Sequence, residues 1–590
     1  MKRTIRLALL CAPLFSTAVQ AAGADLIYSN AKVVTVDPAK PMAEAVAVSS
    51  DKVLAVGSKA EVMALAGPST RIIDLAGKTM VPGFYDNHLH LSEPLQSWRY
   101  GSMIVRVPAW LRGVDTIPKL LDAIRREAAT TPKGGWIVGR LPREDWPNSG
   151  LPTKADLDSA APDHKVAIGR GSHTMIVNSR TIEAAGITAD TKPKGGEIVR
   201  DDKGEPTGKI LEAAKRLVLD IMPPEPMRNM VRGVKPNAEK MQDWREQMAQ
   251  YVSLGITSGN VAGLRPDEFP MLESIYQQQG DELPRLVTQF RIWPGYDKFN
   301  DPEEAVRVTI AEIESVDPKS VYTHPKLSMG AIKMSIDGGL SAPIFWSTRG
   351  YENRPDFRGE QRIPDSNLYR TARRAVQLGW QLGIHTMGDG AVEMTVRELE
   401  RILAEYPKED HRHYLHHVAV KPSEATVDTM ARLGIGVASQ PGFLLALGSY
   451  ADEALEPERE ETQQPAGSLA KKGIRVSFGS DEGPYGPLAS IFAAVTRTTW
   501  NGTVKGLAAE GVSIDDALRM HTLDGAYLTF QDKTIGSITP GKFADFVVLS
   551  EDLMTVPPAR IHEIAVERTI IGGKEVFNRA TAVSQTAARR

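Results

Sequence analysis

Between about residues 82 and 535, short apolar runs alternate with helical patterns, and no other feature of the chain restricts its fold as much. "VAIGR", "IKMSI", "GIHT", "YLHHVAV", "IGVASQ" and "IRVSFGSD" are strand-like, while "IPKLLDAIRREAAT", "YRTARRAVQLGWQLG", "SEATVDTMARLG" and "SIDDALRMHTL" carry helical spacing. Strand followed by helix argues for βα units that build a parallel sheet. The segment is longer than the roughly 250 residues of a plain (β/α)8 barrel, so a distorted barrel of class α/β with an insertion is expected. The stretch at about 95–240, rich in Pro and Gly and containing "MPPEPM", interrupts the alternation and is expected to form an α+β insertion.

Both ends of the chain read differently. Residues 22–81 show short alternating β-branched runs broken by "DPAKP" and "SSDK", and residues 536–590 return to hairpin patterns around "IGGK". One small β-sandwich assembled from both termini is therefore expected beside the barrel. Residues 1–21, "MKRTIRLALLCAPLFSTAVQA", place Lys2, Arg3 and Arg6 before an apolar run and small residues before a cut after Ala21, as a secretory signal peptide does. That run is shorter than the ~20 residues a membrane span needs. The expected location is periplasmic or secreted, with no membrane association after cleavage.

Cys11 is the only cysteine and leaves with the signal, so thiolate ligands, disulfides and a cysteine nucleophile are excluded from the mature chain. Losing Lys2, Arg3 and Arg6 takes the formal charge from -3 to -6. No basic block is present to track phosphates, so a nucleic-acid partner is not expected and a small-molecule substrate is. Association into a homo-oligomer is left open.

Any metal must then be held by imidazole and carboxylate. In "GFYDNHLH", His88 and His90 share one strand face, because side chains alternate along a strand. That spacing permits joint chelation, and it also occurs at exposed strand edges. His385 in "GIHTMGDGAV", His416 and His417 in "HYLHHVAV", and Asp481 in "RVSFGSDEGP" also sit at or near strand ends. In a parallel barrel all C-terminal strand ends converge on one mouth. Lys333 in "GAIKMSIDGG" lies inside a short apolar strand, where an amine is costly to bury unless neutralised or modified.

The motifs "VPGFYDNHLH", "GAIKMSIDGG", "GIHTMGDGAV", "RHYLHHV", "SFGSDEGP" and "GSITPGKFADFVVL" resemble the amidohydrolase superfamily, and within it family 3, which includes formamide and N-acyl amide hydrolases. "SHTMIVNSRTIEAAGI" and "GGEIVRDDKGEPTG" in the insertion are similar to segments of the same family. The resemblance implies His88, His90, Lys333, His385, His417 and Asp481 as metal ligands, with His416 the alternative to His417. It implies one or two divalent ions, zinc or another, and Lys333 carboxylated where two are bridged. Asp481 is the implied catalytic base and acid. A divalent ion lowers the pKa of bound water from 15.7 towards ~7 and polarises a carbonyl, which suits cleavage of an amide, N-acyl or N-formyl C–N bond.

His173 in "RGSHTMIVNS" resembles a position that faces substrate, and Trp98, Trp110, Trp136 and Trp146 are candidates to line a pocket for an apolar group, with packing the alternative. Asp86 is read as a support for His88 or a turn residue, and Asp389 as a helix cap. The chain departs from the family where His416 replaces a glutamate and where Gly442 and Phe443 follow Gln440-Pro441 without the histidine common in relatives. Ester hydrolysis, metal-assisted isomerisation and a non-catalytic exported binding protein are the alternative functions.

Overall fold

The computed structural model describes residues 23–92, 109–111, 114–141, 150–170, 173–227, 236–296, 298–340, 344–445, 454–481, 486–499 and 502–582. Residues 1–21 and Trp98 and Trp146 lie outside them.

The alternating segment forms the expected barrel, except that "VAIGR" belongs to an inserted sheet. Its strands are β1 (Phe84–Leu89), β2 (Ile256–Leu264), β3 (Arg285–Arg291), β4 (Leu327–Ser335), β5 (Leu382–Thr386), β6 (Tyr414–His417), β7 (Gly436–Ser439) and β8 (Val476–Phe478). They pair in chain order, every neighbour parallel. The free edges of β1 and β8 meet where Leu89 bridges Asp481, and the Asp481 N–H donates to the His88 carbonyl at 2.7 Å. The sheet is thus nearly closed, and the chain after β8 is pinned against the chain after β1.

Strands covered on both faces read as near-continuous apolar runs. In "ITSGNVAGL" of β2 every residue except Gly263 is buried. The covering helices bury one stripe each: Asp389–Glu405 turns Val392, Thr395, Val396, Leu399, Ile402 and Leu403 inward at helical spacing. The Asp301 carboxylate caps helix Pro302–Glu314 by accepting the Glu303 N–H, a device typically contributing ~1 kcal/mol. Asp389 is not a cap. Gly388 takes that position, while Asp389 in the first turn pairs with Arg459 at 2.8 Å.

The lumen beneath the mouth is polar and interlocked. Asn260 Nδ2 donates to Asn87 Oδ1 (3.0 Å) and to the Tyr414 hydroxyl (2.8 Å), which also accepts from Gln289 Nε2 at 2.5 Å. Buried polar groups that bond one another fix a unique packing.

Both chain ends build a separate pair of sheets. One orders Lys52–Gly57, Ala45–Ser49, Ala24–Ser29 and Ala66–Asp74. The other orders Lys574–Asn578, Val566–Ile571, Phe546–Leu549, Thr79–Pro82, Lys32–Val34 and Met42–Ala43, so that Phe546 pairs with Pro82. Tyr28, Val46 and Val48 of the first meet Val33, Met80, Phe546 and Ile570 of the second in one core. Arg285, the first residue of β3, joins this unit to the barrel through a buried ion pair with Asp545 at 2.9 Å.

Between β1 and β2 the chain forms a five-stranded sheet in the order Gly196–Arg200, Pro206–Glu212, Thr174–Val177, Lys165–Arg170, Trp136–Leu141. Trp110 and Trp136, both partly buried, pack against the two cores of this sheet, the packing alternative.

Candidate metal centre

Strand β1 delivers His88, and the next residue beyond its end, Leu89 having turned away, delivers His90. Asp481 follows β8 in a left-handed backbone conformation, φ 52°, which aims its carboxylate across the seam of the barrel. Its Oδ1 lies 3.1 Å from His90 Nε2 and 3.7 Å from His88 Nε2. One ligand atom from each of the three residues lies within 4.8 Å of the other two, a spacing that can hold a metal ion. Gly479 of "FGSD" allows this approach, because a Cβ there would sit 2.5 Å from the His88 nitrogen.

The other strand-end histidines complete one cluster. The His88 ring centroid is 4.3 Å from that of His416 and 4.8 Å from that of His417. His417 Nε2 lies 2.8 Å from His385 Nδ1. Adjacent residues on a strand should face opposite ways, yet both His416 and His417 reach the cluster. The backbone at His417 and Val418 is left-handed, φ 73° and 51°, which ends the alternation and re-aims the side chain. His416 Nε2 instead bonds Gln289 Oε1 at 3.1 Å.

Neighbouring polar groups set the tautomers. Gln440 Nε2 donates to the Ala438 carbonyl at 2.8 Å, so its Oε1 faces His417 Nδ1 at 2.6 Å and must accept. His417 therefore carries its proton on Nδ1 and a lone pair on Nε2. Asp337, just past β4, accepts the N–H groups of Met387 (2.9 Å), Gly388 (2.8 Å) and Trp346 (2.9 Å), and lies 3.5 Å from His385 Nε2. Asp86 accepts the N–H groups of His88 (3.1 Å) and Ser480 (3.0 Å), so it ties β1 to the segment that bears Asp481.

Burial governs the charges. It holds His88, His385 and His416 well below the ordinary imidazole range, helped by Lys333 and by neighbouring imidazoles. His417 is pushed down to about 3 by burial, against the pull of Asp481. Burial also drives Lys333 well below the usual amine range, the Asp481 charge offsetting part of this. Asp86 and Asp337 are both pushed up to about 7 by burial, moderated by the N–H groups they accept. Among the described residues, Lys333 Nζ, His385 Nε2 and His416 Nδ1 are buried with no hydrogen-bond partner. Imidazoles with unpaired nitrogens, an amine whose charge burial disfavours and a carboxylate form a donor set that suits a divalent cation.

The structure thus brings His88, His90, His385, His417 and Asp481 to one mouth, with His416 among them and Lys333 close enough for its charge to act on four of the rings. His173 directly precedes the central strand of the inserted sheet, its Nδ1 2.6 Å from Glu212 Oε1. Trp146 falls outside the described residues. Sequence reasoning passed over Gln289, Asp337, Gln440 and Glu212. Asp337 and Gln440 stood inside quoted motifs, whereas nothing local to Gln289 or Glu212 sets them apart.

A family model described as "Amidohydrolase family" matches residues 71–577. Among curated proteins, the N-substituted formamide deformylase of Arthrobacter pascens is 28% identical over 566 residues, covering 93% of this chain and 97% of the relative. The putative amidohydrolase YtcJ of Bacillus subtilis (strain 168) is 28% identical over 529 residues, 87% of this chain and 92% of the relative. Among solved structures, an uncharacterized metal-dependent hydrolase from Pyrococcus horikoshii OT3 shares the fold, with a TM-score of 0.63 at 20% identity over 90% of this chain and 99% of that one.

Proposed function

Because the chain belongs to the amidohydrolase family, we propose that it is a metal-dependent hydrolase that opens an amide, N-acyl or N-formyl C–N bond of a small molecule. The observation that carries this reading is the facing of the Asp481 carboxylate and the His88–His90 pair across the barrel seam, 3.1 Å at its closest. His88, His90, His385, His417, Asp481 and Lys333 are the proposed holders of one or two divalent ions, zinc first among them. Such an ion would supply Lewis acidity, making water a nucleophile near neutral pH and polarising the scissile carbonyl.

The protein's own groups then move the protons. Asp481 takes one from the attacking water as its oxygen bonds to the carbonyl carbon, and returns it to the nitrogen as the C–N bond breaks, so an acid and an amine leave. A placed acid/base of this kind contributes on the order of 10²- to 10⁴-fold. Gln440 keeps His417 Nε2 available as an electron-pair donor, and Asp337 ties the loop beyond β4 to that beyond β5. Burial disfavours charge on Lys333, and its amine would help to hold the ions as the carbamate formed when its nitrogen bonds CO2 and gives up a proton. Action in the periplasm, after removal of residues 1–21, belongs to the same proposal.

The test is product analysis in ¹⁸O-labelled water with a panel of N-formyl and N-acyl amides. Hydrolysis puts solvent oxygen into the acid product; esters cut in preference to amides, or an isomerised product without label, would overturn the reading.

A further inference from the structure

The buried carboxylate of Glu212, on the inserted sheet, has no part in the proton transfers above, yet it is held by two hydrogen bonds and an ion pair. His173 Nδ1 lies 2.6 Å and the Gly339 N–H 3.2 Å from its Oε1, while Arg362 Nη1 lies 3.7 Å from its Oε2. The backbone is tied as well, the Glu212 N–H donating to the His173 carbonyl at 3.0 Å. Glu212 adopts φ 48° and ψ -131°, a combination a side-chain-bearing residue rarely takes. Strain of this kind persists where the surroundings over-determine it, and it clusters at functional sites.

The "DGG" after β4 is shaped to receive this pair. A Cβ on Gly338 would come within 2.8 Å of Glu212 Oε1, and one on Gly339 would collide with His173 Nε2. Only a bare backbone lets the imidazole lie over the chain at this point. That backbone follows directly on Asp337, which accepts N–H groups from the loop beyond His385 and lies 3.5 Å from the His385 ring. The inserted sheet is therefore fastened to the His385 side of the mouth. Burial opposes charge on Glu212, but His173, its hydrogen bond, Arg362 and Lys215 outweigh it and hold the acid ionised, at about 2.

We propose that Glu212 is a positioning residue: its carboxylate accepts the His173 Nδ1–H and the Gly339 N–H, fixes His173 in one tautomer, and presents His173 Nε2 over Gly339 to substrate on the His385 side of the mouth. The inserted sheet then supplies a working group of the active site. The orientation of His173 stands on the geometry alone; its contact with substrate rests on the proposed amide hydrolysis. A carboxylate that bonds one ring nitrogen decides which nitrogen keeps the lone pair.

The test uses full-length, metal-loaded protein with ¹⁵N-labelled histidine, the His173 signals identified by their loss in His173→Gln. At mildly alkaline pH the wild type should show His173 protonated at Nδ1 and unprotonated at Nε2. Glu212→Ala should spread the proton over both nitrogens. Glu212→Gln keeps an acceptor, so the tautomer should stay while the Nδ1 proton moves upfield, because the bond to a charged acceptor is lost. In turnover, Glu212→Ala should lower kcat/KM by about ten- to a hundredfold, the range for a partner that orients a histidine. Combined with His173→Ala it should cost nothing beyond His173→Ala alone. An unchanged His173 tautomer in Glu212→Ala, an unmoved Nδ1 proton in Glu212→Gln, or losses that add in the double variant would overturn the proposal. Expected spectra from a protein that cuts no amide would instead overturn the hydrolytic reading and leave the positioning role standing.

Discussion

Asp481 and His90 meet across the closing seam of the barrel, with Oδ1 and Nε2 3.1 Å apart, although one follows the last strand and the other the first. The bridge between Leu89 and Asp481 that closes the sheet also brings these two groups together. Asp481→Asn keeps the shape and removes the proton acceptor. It is expected to retain at least one bound ion and to lose on the order of 10²- to 10⁴-fold in kcat, measured by elemental analysis beside steady-state turnover.

Gln440 bears on the metal through His417. Gln440→Leu removes the acceptor of the His417 Nδ1–H at 2.6 Å and frees the ring to take either tautomer. Metal affinity, titrated with a competing chelator, should fall by about 10- to 100-fold, with little change in the melting temperature of the metal-free protein.

The metal-free protein should weaken in acid. His417, held at about 3, and His521, held at about 4 by burial, stay neutral in the fold but take up protons near 6.5 when unfolded. Each lowered imidazole thus contributes stability that is present above pH ~6.5 and lost as pH falls through the window below it. Asp86 and Asp337, raised to about 7, act oppositely, since the fold binds their protons between pH ~4 and 7 while the unfolded chain does not. His88, His385, His413 and His416 join the imidazole side, so the net effect is loss on acidification. Thermal melts of stripped protein from pH 7.5 to 5 should show a falling midpoint; a rising one would show that the carboxylates dominate.

The Arg285–Asp545 pair is buried, and the Arg285 guanidinium also lies 3.6 Å above the centre of the Phe543 ring. Asp545→Ala leaves that charge uncompensated and also removes the acceptor of the Gly572 N–H, so a loss of about 3–5 kcal/mol is expected in denaturant unfolding. Replacing both partners with apolar residues of similar volume should cost less.

The barrel and its mouth were legible because β1 and β4 to β8 each write a short apolar run, and His88, His90, His385, His416, His417 and Asp481 stand at or just beyond the ends of four of them, whereas no run was read for β2 or β3. His88, His90, His385 and Asp481 could be placed on strand ends from such runs alone. His416 and His417 could not be separated, since period-2 alternation fails where the backbone turns left-handed at His417, and no residue type there announces that turn. Trp110 and Trp136 suggested a pocket by their chemistry but pack into the inserted sheet, whose register is set by long-range pairing. Glu212 was invisible for the same reason: its meaning comes from Gly339, which the fold brings to it from the far side of β4.

The most direct measurement is the metal content of purified wild-type protein beside that of His88→Ala and His90→Ala, read together with turnover. At least one divalent ion per chain is expected in the wild type, with bound metal and rate lost together in both variants. Full metal and full rate in either variant would contradict the assignment of the centre.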